Sequence, residues 1–384
     1  MKYKIIIPVL VLFLFLSCVK TFLPNFKSPT TGYLVVEGWI NSGLGSTTLA
    51  LSRSTPLNDT LVPPPELGAT VTVEGSDGTH FNLSDQRNGT YFNAQLNLNY
   101  NSQYRLHIIT TNGKEYFSDY QSAIKTSPID SLGWVKNSSG IGISLYTHNN
   151  AGPQNYHIAY SQTYEIVSQA YSKYIFLPLT DTILPRDPNQ IPQLYTCWNT
   201  IPSDSILIAS TSALKAPYPL IYKLVQIPNG SLPLSVEYSI EAEEYAISNS
   251  ANTFFQSLKT SSEPSSSLFN PLPSQAQGNI HNSKDASETV LGYVGIADVN
   301  RKRIFIKNSQ VLPWLYNPSC PVFTKNYLRP GSKTDIKTKT INDTTFNSVD
   351  IIDTSGNKFT FQTEPIACID CRTYGSPIKP SFWP

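Results

Sequence analysis

Short segments with strand character follow one another along this chain, and dipeptides that favour tight turns lie between them. Three early segments consist mainly of aliphatic, aromatic and β-branched residues, or of such residues in alternation with polar ones, as expected for β-strands. They are residues 33–40, 47–51 and 69–74. Asp77-Gly78 and Asn88-Gly89 come next, and both dipeptides favour hairpin turns. This spacing predicts a mainly β fold that begins with a β-sandwich of immunoglobulin-like or transthyretin-like shape.

The segment Thr126-Ser127-Pro128 marks a predicted junction between two units. The first unit is the β-sandwich at 32–127, and the second covers 128–384. Strand-like stretches recur in the second unit, for example at 140–146 and 156–166. We therefore predict a second β-rich domain that ends in a cysteine-containing C-terminal tail.

One helical insertion is predicted in the second domain, at about 240–259. Ser239 is a candidate N-cap, and the glutamates after it would favour the positive end of a helix dipole. The apolar residues that would share one helix face are Ile247, Ala251, Phe254, Phe255 and Leu258. We interpret the glutamates as a solvated first helical turn rather than as a metal or acid–base site.

The N-terminus has the pattern of a lipoprotein signal peptide. Two lysines precede an apolar run at 5–16, which ends at Ser17 and Cys18. The run is too short for a comfortable membrane span and fits a secretory signal. We predict a signal peptide at 1–17, a lipid on Cys18 and a lipidated tether at 18–31. The alternative is ordinary secretory cleavage, which would leave the Cys18 thiol free.

Charge and composition narrow the classes of function. The formal net charge is +1 and 14% of residues are charged, so the chain lacks the basic footprint of a nucleic-acid-binding protein. Tyrosine is abundant, at 22 residues, as in binding surfaces, although tyrosine also populates ordinary strands.

Four cysteines follow the predicted lipidation site: Cys197, Cys320, Cys368 and Cys371. An even number in an exported chain favours two disulfides, and three pairings are open. We expect Cys368 and Cys371 to link the tail to two different elements. Two alternatives are a redox pair formed by Cys368 and Cys371, and a zinc site of which they are half.

The sequence contains none of the catalytic motifs whose chemical mechanism is known. A nucleophile elbow, a phosphate loop and a His-Glu-x-x-His pattern are all missing from it. The five histidines are not spaced along the chain as metal ligands are. They are His80, His107, His148, His157 and His281. We therefore predict a non-enzymatic protein with no catalytic residue, no cofactor and no bound metal.

Several strings along the chain resemble one bacterial family. The tail carries Cys368-Ile369-Asp370-Cys371-Arg372 and Lys379-Pro380-Ser381-Phe382-Trp383, and related strings stand at 34–38, 197–198 and 291–293. Together they resemble the Bacteroidota lipoprotein family known as domain of unknown function 4249, over nearly the whole mature chain.

The resemblance implies a place in the cell and a partner. Members of that family typically accompany TonB-dependent outer-membrane receptors, so we expect an accessory lipoprotein that binds or presents a ligand for such a receptor. A structural or assembly subunit of a larger outer-membrane complex is the alternative, and an envelope hydrolase is a remote one. The expected location is the outer membrane, with the cell surface favoured over the periplasmic face.

Overall fold

A computed structural model describes most of the chain after the predicted tether. The described residues are 32–55, 62–177, 182–262, 278–328, 346–353 and 358–384. The predicted signal peptide and tether, including Cys18, lie outside them. The fold is mainly β and is built from sandwich-like sheets, which confirms the predicted fold class. No helix among the described residues is both long and apolar enough to cross a membrane.

The first sandwich begins with eight consecutive strands. They are β1 (Leu34–Asn41), β2 (Thr47–Arg53), β3 (Thr70–Gly75), β4 (His80–Asp85), β5 (Thr90–Asn93), β6 (Gln103–Ile109), β7 (Glu115–Ser118) and β8 (Gln121–Ser122). Their pairing is antiparallel. Gly78 and Gly89 have φ near 85°, so the predicted turns use the backbone freedom of glycine. Alternate side chains, among them Leu34, Val71 and Leu106, point into one shared core.

The second unit contributes strands β9 to β17 and two helices. They are β9 (Ile129–Asn137), β10 (Gly140–His148), β11 (Asn155–Val167), β12 (Tyr174–Leu177), β13 (Thr182–Pro185), α1 (Ile191–Tyr195), β14 (Thr196–Pro202), β15 (Leu207–Ser210), β16 (Pro219–Pro228), β17 (Glu237–Ile247) and α2 (Asn249–Ser262).

After α2 the chain returns to the first sandwich through β18 (Ile280–Asn282), β19 (Val290–Leu291) and β20 (Gly295–Ala297). Strand β18 pairs with β7, whereas β19 and β20 pair in parallel with β1. Ile280, Val290 and Ile296 join the core of the first sandwich. The first sandwich therefore extends beyond the predicted range 32–127, because its edge strands are supplied from more than 150 residues further along the chain.

The chain ends with β21 (Val299–Lys307), β22 (Phe323–Leu328), β23 (Phe346–Asp353), β24 (Lys358–Pro365) and α3 (Ile366–Ile369). Two sheets, β16-β10-β9 and β14-β11-β17-β21, enclose the second core. Buried side chains from both sheets meet there, among them Ile141 and Leu145 of β10 and Tyr238 and Ile240 of β17.

The predicted helix at 240–259 is wrong in its first part. Residues up to Ile247 belong to β17, and α2 begins only at Asn249. β17 lies between β11 and β21, so both of its edges are hydrogen-bonded. Glu241 and Glu243 form ion pairs with Arg303 and Arg301 of β21, at 2.9 and 2.6 Å.

These glutamates therefore form cross-strand ion pairs and do not interact with a helix dipole. Tertiary pairing outweighs the local helical preference in this segment. The prediction is correct for the second part of the range, where Ala251 and Phe254 of α2 are buried together.

Candidate binding pocket

Two disulfides join the C-terminal tail to separate parts of the second domain. Cys371 is bonded to Cys197 on β14, and Cys368 on α3 is bonded to Cys320, which precedes β22. The predicted pair of disulfides is present, with the tail linked to two elements. The structure selects one of the three possible pairings. Cys368 and Cys371 are not bonded to each other, so they do not form the redox pair considered from the sequence.

A cavity of about 310 Å³ lies against both disulfides. Its walls come from the end of β11, the segment before β22 and the C-terminal tail. All of its lining side chains are uncharged types: Ile166, Val167, Ser168, Gln169, Leu232, Tyr316, Pro318, Ser319, Cys320, Pro365, Ala367, Cys368, Cys371 and Tyr374. The pocket is therefore an uncharged site lined by both apolar and polar groups.

Hydrogen bonds hold the wall formed by the end of β11. The Ser168 hydroxyl donates to the carbonyl oxygen of Leu194 at 2.9 Å, and the Ser168 backbone N–H donates to that of Tyr195 at 2.9 Å. The Gln169 backbone N–H donates to the Cys368 carbonyl oxygen at 2.8 Å. A backbone hydrogen bond thus connects this wall to the tail, which the two disulfides join to β14 and to Cys320.

Two tyrosines also line the pocket, Tyr316 and Tyr374. Tyr316 is half-buried, and burial raises the pKa of its phenol. Tyr374 is 45% exposed, and its backbone N–H donates to the Cys371 carbonyl oxygen at 3.0 Å. Tyrosine side chains offer a large amphipathic contact area at low cost in conformational entropy. They are the natural contact surfaces for a ligand or a partner side chain.

A buried carboxyl group lies behind the disulfide wall. Glu364 is 7% exposed, and its Oε2 atom has no hydrogen-bond partner among the described residues. Burial raises the pKa of this carboxyl. A carboxylate oxygen of Glu364 and the sulfurs of Cys320 and Cys368 all lie within 4.8 Å of one another. While the sulfurs are joined in a disulfide they are not thiolates, so the carboxylate is the main metal-binding donor among the three side chains.

Sequence reasoning found the cysteines of this site but missed Glu364, Tyr316 and Tyr374. The three missed residues are each within four positions of a cysteine, which is the one signal that the sequence carries for them. They belong to no motif, because their meeting depends on which cysteines pair. None of the five histidines lines this pocket.

The fold defines a mainly β protein whose sandwich-like sheets are followed by a disulfide-bonded tail. The family described as "Domain of unknown function (DUF4249)" matches residues 19–303, and the chain belongs to this family. Cys320, Cys368 and Cys371 lie beyond the matched residues.

Among solved structures, a segment of two fibronectin type III domains from chicken tenascin is similar at 10% identity and a TM-score of 0.17. The similarity covers 57% of this chain and 91% of that chain. No curated protein matches this chain.

Proposed function

We propose that this protein acts by binding rather than by catalysis, as a lipid-anchored accessory partner of a TonB-dependent outer-membrane receptor. The observation that carries the proposal is the uncharged pocket beside the two disulfides. The Cys320–Cys368 disulfide joins two of its wall segments, the one before β22 and the C-terminal tail, and the Cys197–Cys371 disulfide fixes the tail to β14. A site held in this way loses little conformational entropy when it is occupied.

The lining residues indicate what the pocket would accept. A charged ligand would lose its hydration without gaining a charged partner, which is unfavourable. An uncharged ligand, or an apolar side chain of a partner protein, would instead gain contact with Tyr316, Tyr374 and Leu232. Gln169 is exposed and lines the pocket, so its side-chain amide can orient a polar group.

The predicted lipid on Cys18 supports the proposed location. A random coil of the length of the predicted tether at 18–31 would have a root-mean-square reach of about 20 Å. The first sandwich, which starts at Leu34, would then stay close to the bilayer. An accessory protein held at that distance can meet the outer loops of a membrane receptor without diffusing away.

The test is a mild-detergent pull-down of a tagged copy expressed at its native level. We expect a large β-barrel receptor in near-stoichiometric amount. Tyr374→Ala should reduce its recovery if the pocket takes part. Tyr120→Ala is the matched control, because Tyr120 is 42% exposed, close to the value for Tyr374, but lies in the first sandwich. Recovery of the lone lipoprotein in several detergents, with measurable turnover of an envelope polymer, would replace this proposal with the hydrolase alternative.

A structural subunit without a ligand is the second candidate. Three apolar side chains on the segments around the pocket are strongly exposed: Leu312 at 61%, Leu315 at 83% and Ile378 at 78%. Exposed apolar side chains of this size suit a protein–protein contact. Loss of receptor recovery in Leu315→Ser together with full recovery in Tyr374→Ala would favour this candidate over the ligand-binding one.

A further inference from the structure

Glu364 lies beside the Cys320–Cys368 disulfide in an arrangement that an ordinary structural disulfide does not need. The three side chains form the one group of at least three potential metal-ligating residues found among the described residues. The Glu364 carboxyl is 7% exposed and leaves Oε2 without a hydrogen-bond partner there. Burying an unpaired polar atom is costly in free energy. A ligand bound to the carboxylate would offset this cost.

The spacing of the three side chains suits a tetrahedral cation. Zinc binds cysteine sulfur at about 2.3 Å and carboxylate oxygen at about 2.0–2.2 Å, so tetrahedral angles put the ligand atoms about 3.5–3.8 Å apart. The group already lies within 4.8 Å. The Cα atoms of Cys320 and Cys368 are 5.8 Å apart, so separated sulfurs can reach this spacing by side-chain rotation.

The two disulfides differ in access. Cys320, Cys368 and Cys371 all line the cavity, but Cys197 and Cys371 are 0% and 1% exposed, whereas Cys320 is half-buried. A small reductant can therefore approach Cys320 through the cavity. The Cys197–Cys371 bond would meanwhile keep the tail attached to β14.

We propose that reduction of the Cys320–Cys368 disulfide creates a Zn²⁺ site made of these two thiolates and the Glu364 carboxylate, with the fourth position open to the cavity. A dithiol supplies the two electrons and two protons. Its thiolate attacks one sulfur, the disulfide becomes two cysteine thiols, and the dithiol leaves as a cyclic disulfide. Zn²⁺ then displaces the two thiol protons to solvent. A water molecule from the cavity fills the open position.

The test is a Co²⁺ titration of the full chain carrying Cys18→Ala, so that the four remaining cysteines alone contribute sulfur. After reduction with dithiothreitol and its anaerobic removal, we expect one Co²⁺ per chain. Its spectrum should combine tetrahedral ligand-field bands with thiolate-to-cobalt charge transfer. Zn²⁺ should displace the Co²⁺. The oxidised chain should give no such spectrum.

Three variants identify the ligands. Cys320→Ser/Cys368→Ser should lose the charge-transfer band, and Glu364→Gln should weaken Co²⁺ binding by about tenfold or more. Glu237→Gln is the matched control, since its Oε1 atom is also buried and unpaired but belongs to β17, and its affinity should equal that of the parent. Circular dichroism of each reduced variant shows whether it is folded.

Two results would overturn the proposal. One is a reduced, folded parent chain that takes up no Co²⁺. The other is Glu364→Gln binding with the parent's affinity and spectrum. The receptor pull-down is independent of both results, because it uses the oxidised protein.

Discussion

Trp39 stacks on Tyr245, with ring centroids 5.4 Å apart and an interplanar angle of 26°. Trp39 belongs to β1 of the first sandwich and Tyr245 to β17 of the second. Phe255 of α2 stacks on the Trp39 ring at 5.9 Å, and His157 lies 4.9 Å from Phe255. The two sandwiches therefore meet through a packed aromatic layer, and α2 covers it.

Gly295 allows β20 to approach this layer. A Cβ atom placed on Gly295 would lie 1.8 Å from the Trp39 ring, so Gly295→Ala must move either the ring or β20. We expect a loss of about 1–3 kcal/mol in the free energy of unfolding, measured by urea denaturation. Gly142→Ala should have a much smaller effect, because its nearest neighbour is the flexible end of Gln226. Equal stability of the two variants would contradict the close packing of β20 on Trp39.

Glu244 should make the protein less stable as the pH rises. Its side chain is fully buried, and burial, with a smaller effect from the charge of Asp130, raises its pKa from 4.5 to about 8. Between these values the folded state binds more protons than the unfolded state, so the free energy of unfolding falls with rising pH. At about 1.4 kcal/mol per pKa unit the total fall amounts to a few kcal/mol.

Glu244→Gln should abolish most of this fall in urea denaturation measured from about pH 6.5 to pH 9. Glu37→Gln is the control, because Glu37 is exposed on β1 and should keep the parent's slope. A parent protein whose stability is flat over this range would show that the Glu244 carboxyl is not protonated in the folded state.

His157 should make the protein less stable as the pH falls, over a lower pH range than that of Glu244. Burial in the aromatic layer lowers its pKa from 6.5 to about 4. The folded state then binds fewer protons than the unfolded state between these values, so the free energy of unfolding falls as the pH is lowered through this window. In a Glu244→Gln background, His157→Phe should reduce the acid loss of stability. His80→Asn, at an exposed site, should leave it unchanged.

Intact-mass measurement after alkylation without reductant should find Cys197, Cys320, Cys368 and Cys371 unlabelled. Replacing either disulfide by a pair of alanines should cost about 2–5 kcal/mol. In the chain-entropy model the Cys197–Cys371 pair should cost more, because its sequence separation is 174 against 48 for Cys320–Cys368. Labelling of all four cysteines would contradict the pairing.

Cys18→Ala should move the protein from the membrane fraction to the soluble fraction. Several acyl chains on one cysteine bind a bilayer firmly, so their loss should release the protein. Fractionation of cells that express parent and variant is the measurement. A variant that stays in the membrane fraction would show that something other than the Cys18 lipid holds the protein there.

Features that depend on neighbours in the sequence were predictable. The strands of the first sandwich follow an alternation of apolar and polar side chains, as in β3 and β6, and the turns at Gly78 and Gly89 are encoded by two residues each. The even number of cysteines likewise predicts disulfides without reference to a fold.

Features that depend on distant partners were not predictable. Residues 237–247 have both helical and strand character, and hydrogen bonds to β11 and β21 decide for the strand. Glu241 and Glu243 then form ion pairs with arginines on β21, and these partners cannot be predicted from the sequence of one segment.

The sequence by itself determined the β class, the family and the cysteines of the pocket. The tertiary structure alone decided which cysteines pair, how β18 to β20 complete the first sandwich, and that Glu364 is buried beside two sulfurs. The physical reason is range, since turn and strand preferences act over a few residues. Disulfide pairing and carboxyl burial depend instead on how segments that are tens to hundreds of residues apart pack against each other.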